Sequence, residues 1–236
     1  MNALQTEETL HNGQRLVVHT PAGARGALVW FHGGGWRIPL GDDSIRWGRD
    51  LAAATRLRVL LPDYPLAPER RCAEINAWCA AFWLHAARNG AAYLGGDSAG
   101  AQLALCALPA AQPEKMAFVY AVTTLLPDRA SNSYARFRRG WPLSPRLLDC
   151  FMDAYCPDAA QRRAASPLEQ PPGALPPACL LTAGDDILAD QQTAFARRFG
   201  ATQILYEGAR HVFLSRPDGA AFRQRALDDL ARWFAD

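Results

Sequence analysis

Apolar residues alternate between two patterns along the chain. Short, nearly continuous apolar runs occur at residues 26–31, 57–61, 91–94, 116–123, 178–182 and 203–206. Runs of this length, bounded by Gly, Pro or charged residues, predict strands buried on both faces. Between them lie segments whose apolar residues repeat with helical spacing. A helix is expected over 43–54, with Asp42 or Asp43 as its N-cap, and another over 68–87, where Ile75, Trp78, Cys79, Phe82 and Trp83 form an apolar stripe. Further helices are expected over 101–108 and 217–234. Asn12-Gly13 favours the positive φ angles of a tight hairpin turn and predicts two antiparallel strands at the start. Strands alternating with helices predict an α/β fold, with a mostly parallel central sheet and helices on both faces.

One stretch breaks this rhythm. Residues 127–177 are rich in Pro and Arg and hold one or two helix candidates, near 144–155 and 158–165. An insertion at the carboxyl ends of the strands would lie where open α/β sheets bind ligands. We therefore expect one domain over residues 1–236 with an inserted cap at about 127–177.

Composition narrows the function classes. The chain has 236 residues, of which 50% are hydrophobic and 20% charged, a balance that excludes a disordered chain. Net charge is +2, and Lys115 is the only lysine. The arginine clusters at Arg136, Arg138 and Arg139 and at Arg162 and Arg163 build no long basic stripe, so no nucleic-acid partner is expected. No apolar run approaches a membrane span, and the acidic start lacks the basic-then-apolar order of a signal peptide. A cytoplasmic protein without a membrane partner is the expectation. The six cysteines, Cys72, Cys79, Cys106, Cys150, Cys156 and Cys179, form no Cys-x-x-Cys pair and have no histidine at zinc-finger spacing. They read as reduced thiols, with Cys72 and Cys79 on one core-facing helix side, and no metal is expected.

Gly96-Asp97-Ser98-Ala99-Gly100 fits Gly-x-Ser-x-Gly and falls between a predicted strand and a predicted helix. A nucleophilic serine on such a sharp turn needs small neighbours, and the following helix aims its amino end at a developing oxyanion. The plain alternative is a Gly-rich turn whose serine caps a helix. His32-Gly33-Gly34-Gly35 follows another strand. Its backbone N–H groups, with that of Ala99, are suited to hold an oxyanion. A phosphate loop would require Gly-Lys-Ser/Thr, which is absent.

Serine needs a base to remove its proton. His11 and His19 fall in the opening hairpin, His85 in a long helix, and His32 reads as a structural hydrogen-bonding residue. His211 follows the strand at 203–206 and is expected beside Ser98. An acid must fix the tautomer of the histidine. Asp185, Asp186 and Asp190 all follow the strand at 178–182, and position alone does not separate Asp185 from Asp186.

Together these pieces resemble the hormone-sensitive-lipase-like (bacterial type IV) esterases of the α/β-hydrolase fold. The matching segments are His32-Gly33-Gly34-Gly35-Trp36, Asp63-Tyr64-Pro65-Leu66-Ala67-Pro68-Glu69, Gly95 to Gly100, Ser166-Pro167-Leu168, Thr182 to Asp190 and His211-Val212-Phe213. They occur in the family's order, and Ser, Asp, His is the order of an α/β-hydrolase triad. The resemblance implies a Ser98–Asp186–His211 triad with Gly33, Gly34 and Ala99 as oxyanion donors. Asp97 and Glu69 would be supporting polar residues around the serine turn. Ile187 stands where the family has proline in its acid loop, and Pro65 replaces the usual arginine. The hairpin begins almost at the first residue, so a cap should come mainly from residues 127–177, leaving the site more open or completed by another subunit.

The implied function is a carboxylesterase that cleaves short-acyl esters through an acyl-enzyme on Ser98, with Trp36 as a candidate wall of the substrate pocket. The expected partner is a small-molecule ester, and the chain is expected to be a monomer or a homodimer. No cofactor is required. Two alternatives use the same fold: an arylformamidase-like amidase, and a non-catalytic ligand-binding homologue. The presence of His211 argues against the second.

Overall fold

The computed structural model describes residues 4–140, 142–170 and 174–235. Residue 141 and residues 171–173 of the expected insertion, and the first three residues of the acidic start, lie outside that set.

Eight strands form one sheet: β1 (Gln5–His11), β2 (Gln14–Thr20), β3 (Ala27–Phe31), β4 (Arg58–Pro62), β5 (Ala91–Asp97), β6 (Lys115–Val119), β7 (Ala178–Asp185) and β8 (Thr202–Arg210). Their order is β1-β2-β4-β3-β5-β6-β7-β8. Asn12 and Gly13 both take positive φ, closing the predicted hairpin between β1 and β2. β2 also pairs antiparallel to β4, and every pair from β4 to β8 is parallel.

Side chains alternate between the two faces, as strand geometry requires. In β3, Leu28 and Trp30 join one core while Val29 and Phe31 join the other. Helices α1 (Asp42–Thr55) and α8 (Ala220–Ala235) cover the first core through Trp47, Leu51, Leu227, Leu230 and Phe234. Helices α2 (Cys72–Arg88), α3 (Ala99–Ala107) and α7 (Ala189–Phe199) cover the second. A parallel sheet buried on both faces explains why its strands read as unbroken apolar runs.

Several boundaries differ from the sequence expectation. The N-cap of α1 is Gly41, with Asp42 and Asp43 in the first turn, where carboxylates interact favourably with the exposed N–H groups of a helix start. Helix α2 begins at Cys72, because Glu74 accepts from the Arg71 N–H and closes a capping box there. Cys72 and Cys79 both face the core, as expected. Strand β6 ends at Val119, after which Tyr120 takes a φ of 36° and the chain leaves the sheet. A 3-10 turn at Pro217–Gly219 precedes α8.

The expected insertion connects β6 to β7 and carries three helices: α4 (Asn132–Phe137), α5 (Pro145–Tyr155) and α6 (Ala159–Ala164). Ser144 caps α5 by accepting from the Leu147 N–H, and Asp158 caps α6 by accepting from the Gln161 N–H. Leu148, Met152 and Tyr155 of α5 are buried against the second core. Ser166 ties the end of the insertion back to the sheet, accepting from the Leu125 N–H at 2.8 Å and donating to the Arg162 carbonyl at 2.7 Å. None of the described helices is long and apolar enough to cross a membrane.

Candidate active site

Ser98 directly follows β5, in the middle of the sheet, and starts α3. Its backbone takes φ 52° and ψ −118°, a conformation that costs a non-glycine residue about 1–3 kcal/mol and persists only when its surroundings enforce it. The Ser98 N–H donates to the Val119 carbonyl at 2.9 Å, and its own carbonyl accepts from the Val122 N–H at 3.1 Å. The sharp turn also requires its flanking glycines. A Cβ on Gly96 would stand 2.6 Å from the Gly100 carbonyl carbon, and one on Gly100 would collide with the Phe31 carbonyl oxygen.

The base and the acid come from the far side of the sheet. β7 and β8 pair in register up to Ala183–Tyr206 and, after a register shift, again at Asp185–Arg210, so Asp186 and His211 leave adjacent strands one residue beyond the same rung. His211 Nδ1–H donates to Asp186 Oδ2 at 2.6 Å, which directs Nε2 to accept from Ser98 Oγ at 2.9 Å. Asp186 Oδ1 accepts from the Leu188 N–H at 3.0 Å. All three residues are buried.

The competing candidates fall elsewhere. Asp190 accepts from the Ser133 N–H at 2.8 Å and so anchors α4. Asp185 lines a separate outer groove. The His11 and His85 rings lie 4.7 Å apart against each other, and His19 is taken up by Thr6 and the Ile45 carbonyl. His32 stacks on Tyr64 with ring centroids 4.3 Å apart, and its Nδ1–H donates to the Gly33 carbonyl at 2.7 Å. Glu69 is exposed on the turn before α2 instead of supporting the serine turn.

Asp97 is half-buried behind the serine. It accepts from Trp30 Nε1 at 3.0 Å and from the Gly33 N–H, and it is bonded to the Tyr120 hydroxyl. Burial pushes its carboxyl above the usual carboxylate value in spite of these bonds. The Gly33 N–H is thus directed at Asp97. Gly34 and Gly35, by contrast, line the cavity into which Ser98 and Ala99 face. Both have positive φ, 119° and 58°, the region glycine occupies without strain. The Ile38 N–H donates to the Gly34 carbonyl at 3.0 Å, and Asp63 accepts from the Leu40 N–H at 2.9 Å, so the loop is held at both ends.

The cavity measures about 150 Å³. Trp36 lines it as expected, although the side chain is fully buried, donates to Gln102 Oε1 at 2.9 Å and stacks on Tyr155. The opposite wall is the insertion, through Leu143, Leu147, Leu148 and Phe151. The helical period over 144–155 pointed to α5 but not to this use of it. The available signal was an apolar stripe too wide for core packing alone, with Leu147 and Phe151 beside Leu148, Met152 and Tyr155. Among the described residues no group of His, Cys, Asp or Glu is arranged to hold a metal ion.

Residues 28–215 match the family model described as the alpha/beta hydrolase fold. Among curated proteins, the chain is 29% identical to the carboxylic ester hydrolase LipN of Mycobacterium tuberculosis, over 82% of this chain and 58% of that protein. It is 31% identical to an arylesterase of Saccharolobus solfataricus, over 81% of this chain and 69% of that protein. The matched regions therefore span 58% and 69% of the lengths of these relatives. Among solved structures, an ester-hydrolase from the metagenome of Lake Arreo, complexed with a derivative of bipyridine phosphonate, superposes with a TM-score of 0.85 at 29% identity. That alignment covers 98% of this chain and 82% of the other.

Proposed function

The chain belongs to the α/β-hydrolase-fold family of hormone-sensitive-lipase-like esterases, and on that basis we propose that it is a carboxylesterase acting through an acyl-enzyme on Ser98. The observation that carries this proposal is the continuous hydrogen-bond chain from Ser98 Oγ through His211 to Asp186 at the wall of an apolar cavity.

His211 Nε2 takes the serine proton as Oγ attacks the ester carbonyl carbon. Asp186 holds the imidazole in the required tautomer and stabilises the imidazolium. The oxyanion of the tetrahedral intermediate is bound by the N–H groups of Gly34, Gly35 and Ala99, because the Gly33 N–H serves Asp97 instead. Each such donor is worth about 2.7–4 kcal/mol in the transition state. Collapse of the intermediate breaks the bond to the alkoxide, which leaves with the proton from His211. Water, deprotonated by the same histidine, then attacks the acyl-serine and releases the carboxylic acid.

The cavity of about 150 Å³ beside Ser98 is small and is lined mainly by apolar side chains, Trp36, Leu143, Leu147, Leu148 and Phe151 among them. This supports a preference for short acyl chains. A series of p-nitrophenyl esters from acetate to octanoate tests the function, with Ser98→Ala as the control. Hydrolysis of the short esters and labelling of Ser98 by a fluorophosphonate are expected. Cleavage of an aryl formamide with no ester hydrolysed at any chain length would overturn the proposal.

A further inference from the structure

Helix α5 presents two apolar rows. Leu148, Met152 and Tyr155 are buried in the core, and Leu147 and Phe151, one turn apart, face the cavity that holds Ser98, which Leu148 also borders. The core row moors the helix. The Tyr155 ring stacks on Trp36 with centroids 4.4 Å apart and planes 6° apart, and its hydroxyl donates to Asn76 Oδ1 at 2.7 Å. Arg71 donates to the Ala154 carbonyl from the start of α2, and the Cys156 and Cys72 sulfurs lie 2.8 Å apart. Phe151 has no slack to retreat along this helix. Its ring rests on Gly35 so closely that a Cβ at that glycine would run into the ring atoms.

We propose that Phe151 sets the acyl-chain length this enzyme accepts, and that it does so partly through the oxyanion loop. The proposal rests on the esterase function above. The ring closes one side of the small apolar cavity, so a short acyl chain fits beneath it. A longer chain must push the ring aside. Because the ring bears on Gly35, an N–H donor to the oxyanion, that displacement also disturbs the loop that stabilises the transition state. Discrimination against long chains therefore falls on kcat as well as on KM.

The test is kcat and KM for p-nitrophenyl acetate, butyrate, hexanoate and octanoate with the wild type, Phe151→Ala and Phe151→Leu. In the wild type, kcat is expected to fall together with kcat/KM between butyrate and octanoate. Phe151→Ala should raise the octanoate-to-acetate ratio of kcat/KM by about tenfold or more, within the range that one or a few methylenes command in an apolar pocket. Phe151→Leu, which keeps an apolar side chain and a folded helix, should raise it by about threefold. A uniform fall across the series, or an unchanged octanoate-to-acetate ratio of kcat/KM in Phe151→Leu with a native melting curve, would assign Phe151 to packing alone and overturn the proposal. If the wild type hydrolyses none of the esters, the esterase function itself fails. If it hydrolyses them and both variants keep its octanoate-to-acetate ratio of kcat/KM, only the assignment to Phe151 fails.

Discussion

His211 Nδ1 stands 2.6 Å from Asp186 Oδ2, both groups buried, on loops that leave neighbouring parallel strands one residue past the rung Asp185–Arg210. The acid is held in turn by the Leu188 N–H, so it is fixed before the imidazole charges. Asp186→Asn keeps the shape but lets Nδ1 become the acceptor, which turns the Nε2 proton toward Ser98. A fall in kcat of about 10⁴-fold with little change in KM is expected, on the pattern of triads that lose their acid. Steady-state kinetics on p-nitrophenyl acetate check this, and a loss below about tenfold would show that another carboxylate can serve.

Asp97 supplies a pH-dependent prediction. Burial raises its folded-state value above the ordinary 3.8, so the folded protein holds this proton to higher pH than the unfolded chain does. Stability contributed by the neutral form is present below 3.8 and is lost as pH rises through the folded value. Asp97→Asn removes that titration. Its stability deficit relative to wild type should therefore shrink as pH rises from about 4. Urea unfolding at a series of pH values measures the difference, and a deficit that grew with pH would contradict the assignment.

The cysteines differ in reactivity by environment. Burial pushes the Cys106 and Cys179 thiols up to about 12, so at pH 8 about one in 10⁴ is ionised, and the thiolate is the reacting form. Cys150 is exposed, whereas Cys72, Cys79 and Cys156 are buried. An aromatic disulfide reagent should titrate one thiol rapidly in the native protein and six after denaturation. Rapid reaction of two or more native thiols would show that the buried sites open.

Gly100 is the tightest point of the serine turn. A Cβ there meets the backbone carbonyl oxygens of Phe31 and His32 and cannot be relieved by a rotamer change. Gly100→Ala should cost about 2–3 kcal/mol or more, as overpacking against backbone does. For a chain of this size that corresponds to a melting temperature lower by roughly 4–12 °C. A thermal scan decides it.

Much of this was legible in the sequence because each element satisfied a local rule. Residues 26–31 and 91–94 are apolar throughout since both sheet faces are buried, and Gly96 and Gly100 had to be glycine for Ser98 to sit where it does. Three things were not legible, for a common physical reason. Position alone leaves Asp185 and Asp186 open, and only the family resemblance implies Asp186, because the choice depends on which carboxylate passes beyond the last β7–β8 rung. The direction of the Gly33 N–H depends on Asp97, which approaches from β5 because Phe31 pairs with Gly96. The role of Phe151 depends on how α5 lies across Gly35. Each is a contact between segments far apart in sequence, and no local pattern records which partner a residue meets. The N-cap of α1 went to Gly41 for a simpler reason. Both candidate aspartates serve the helix from within its first turn.

The insertion enters after β6 and returns to β7 before the acid is reached. Residues 127–177 therefore lie outside the rung that sets the spacing of Asp186 and His211, and they meet the acid loop through Ser133, whose hydroxyl donates to the Ile187 carbonyl. A segment grafted in their place would retune what enters the cavity, provided it keeps that contact with the acid loop. The molecule is in this sense two separable inventions, a fixed reactor and a replaceable door.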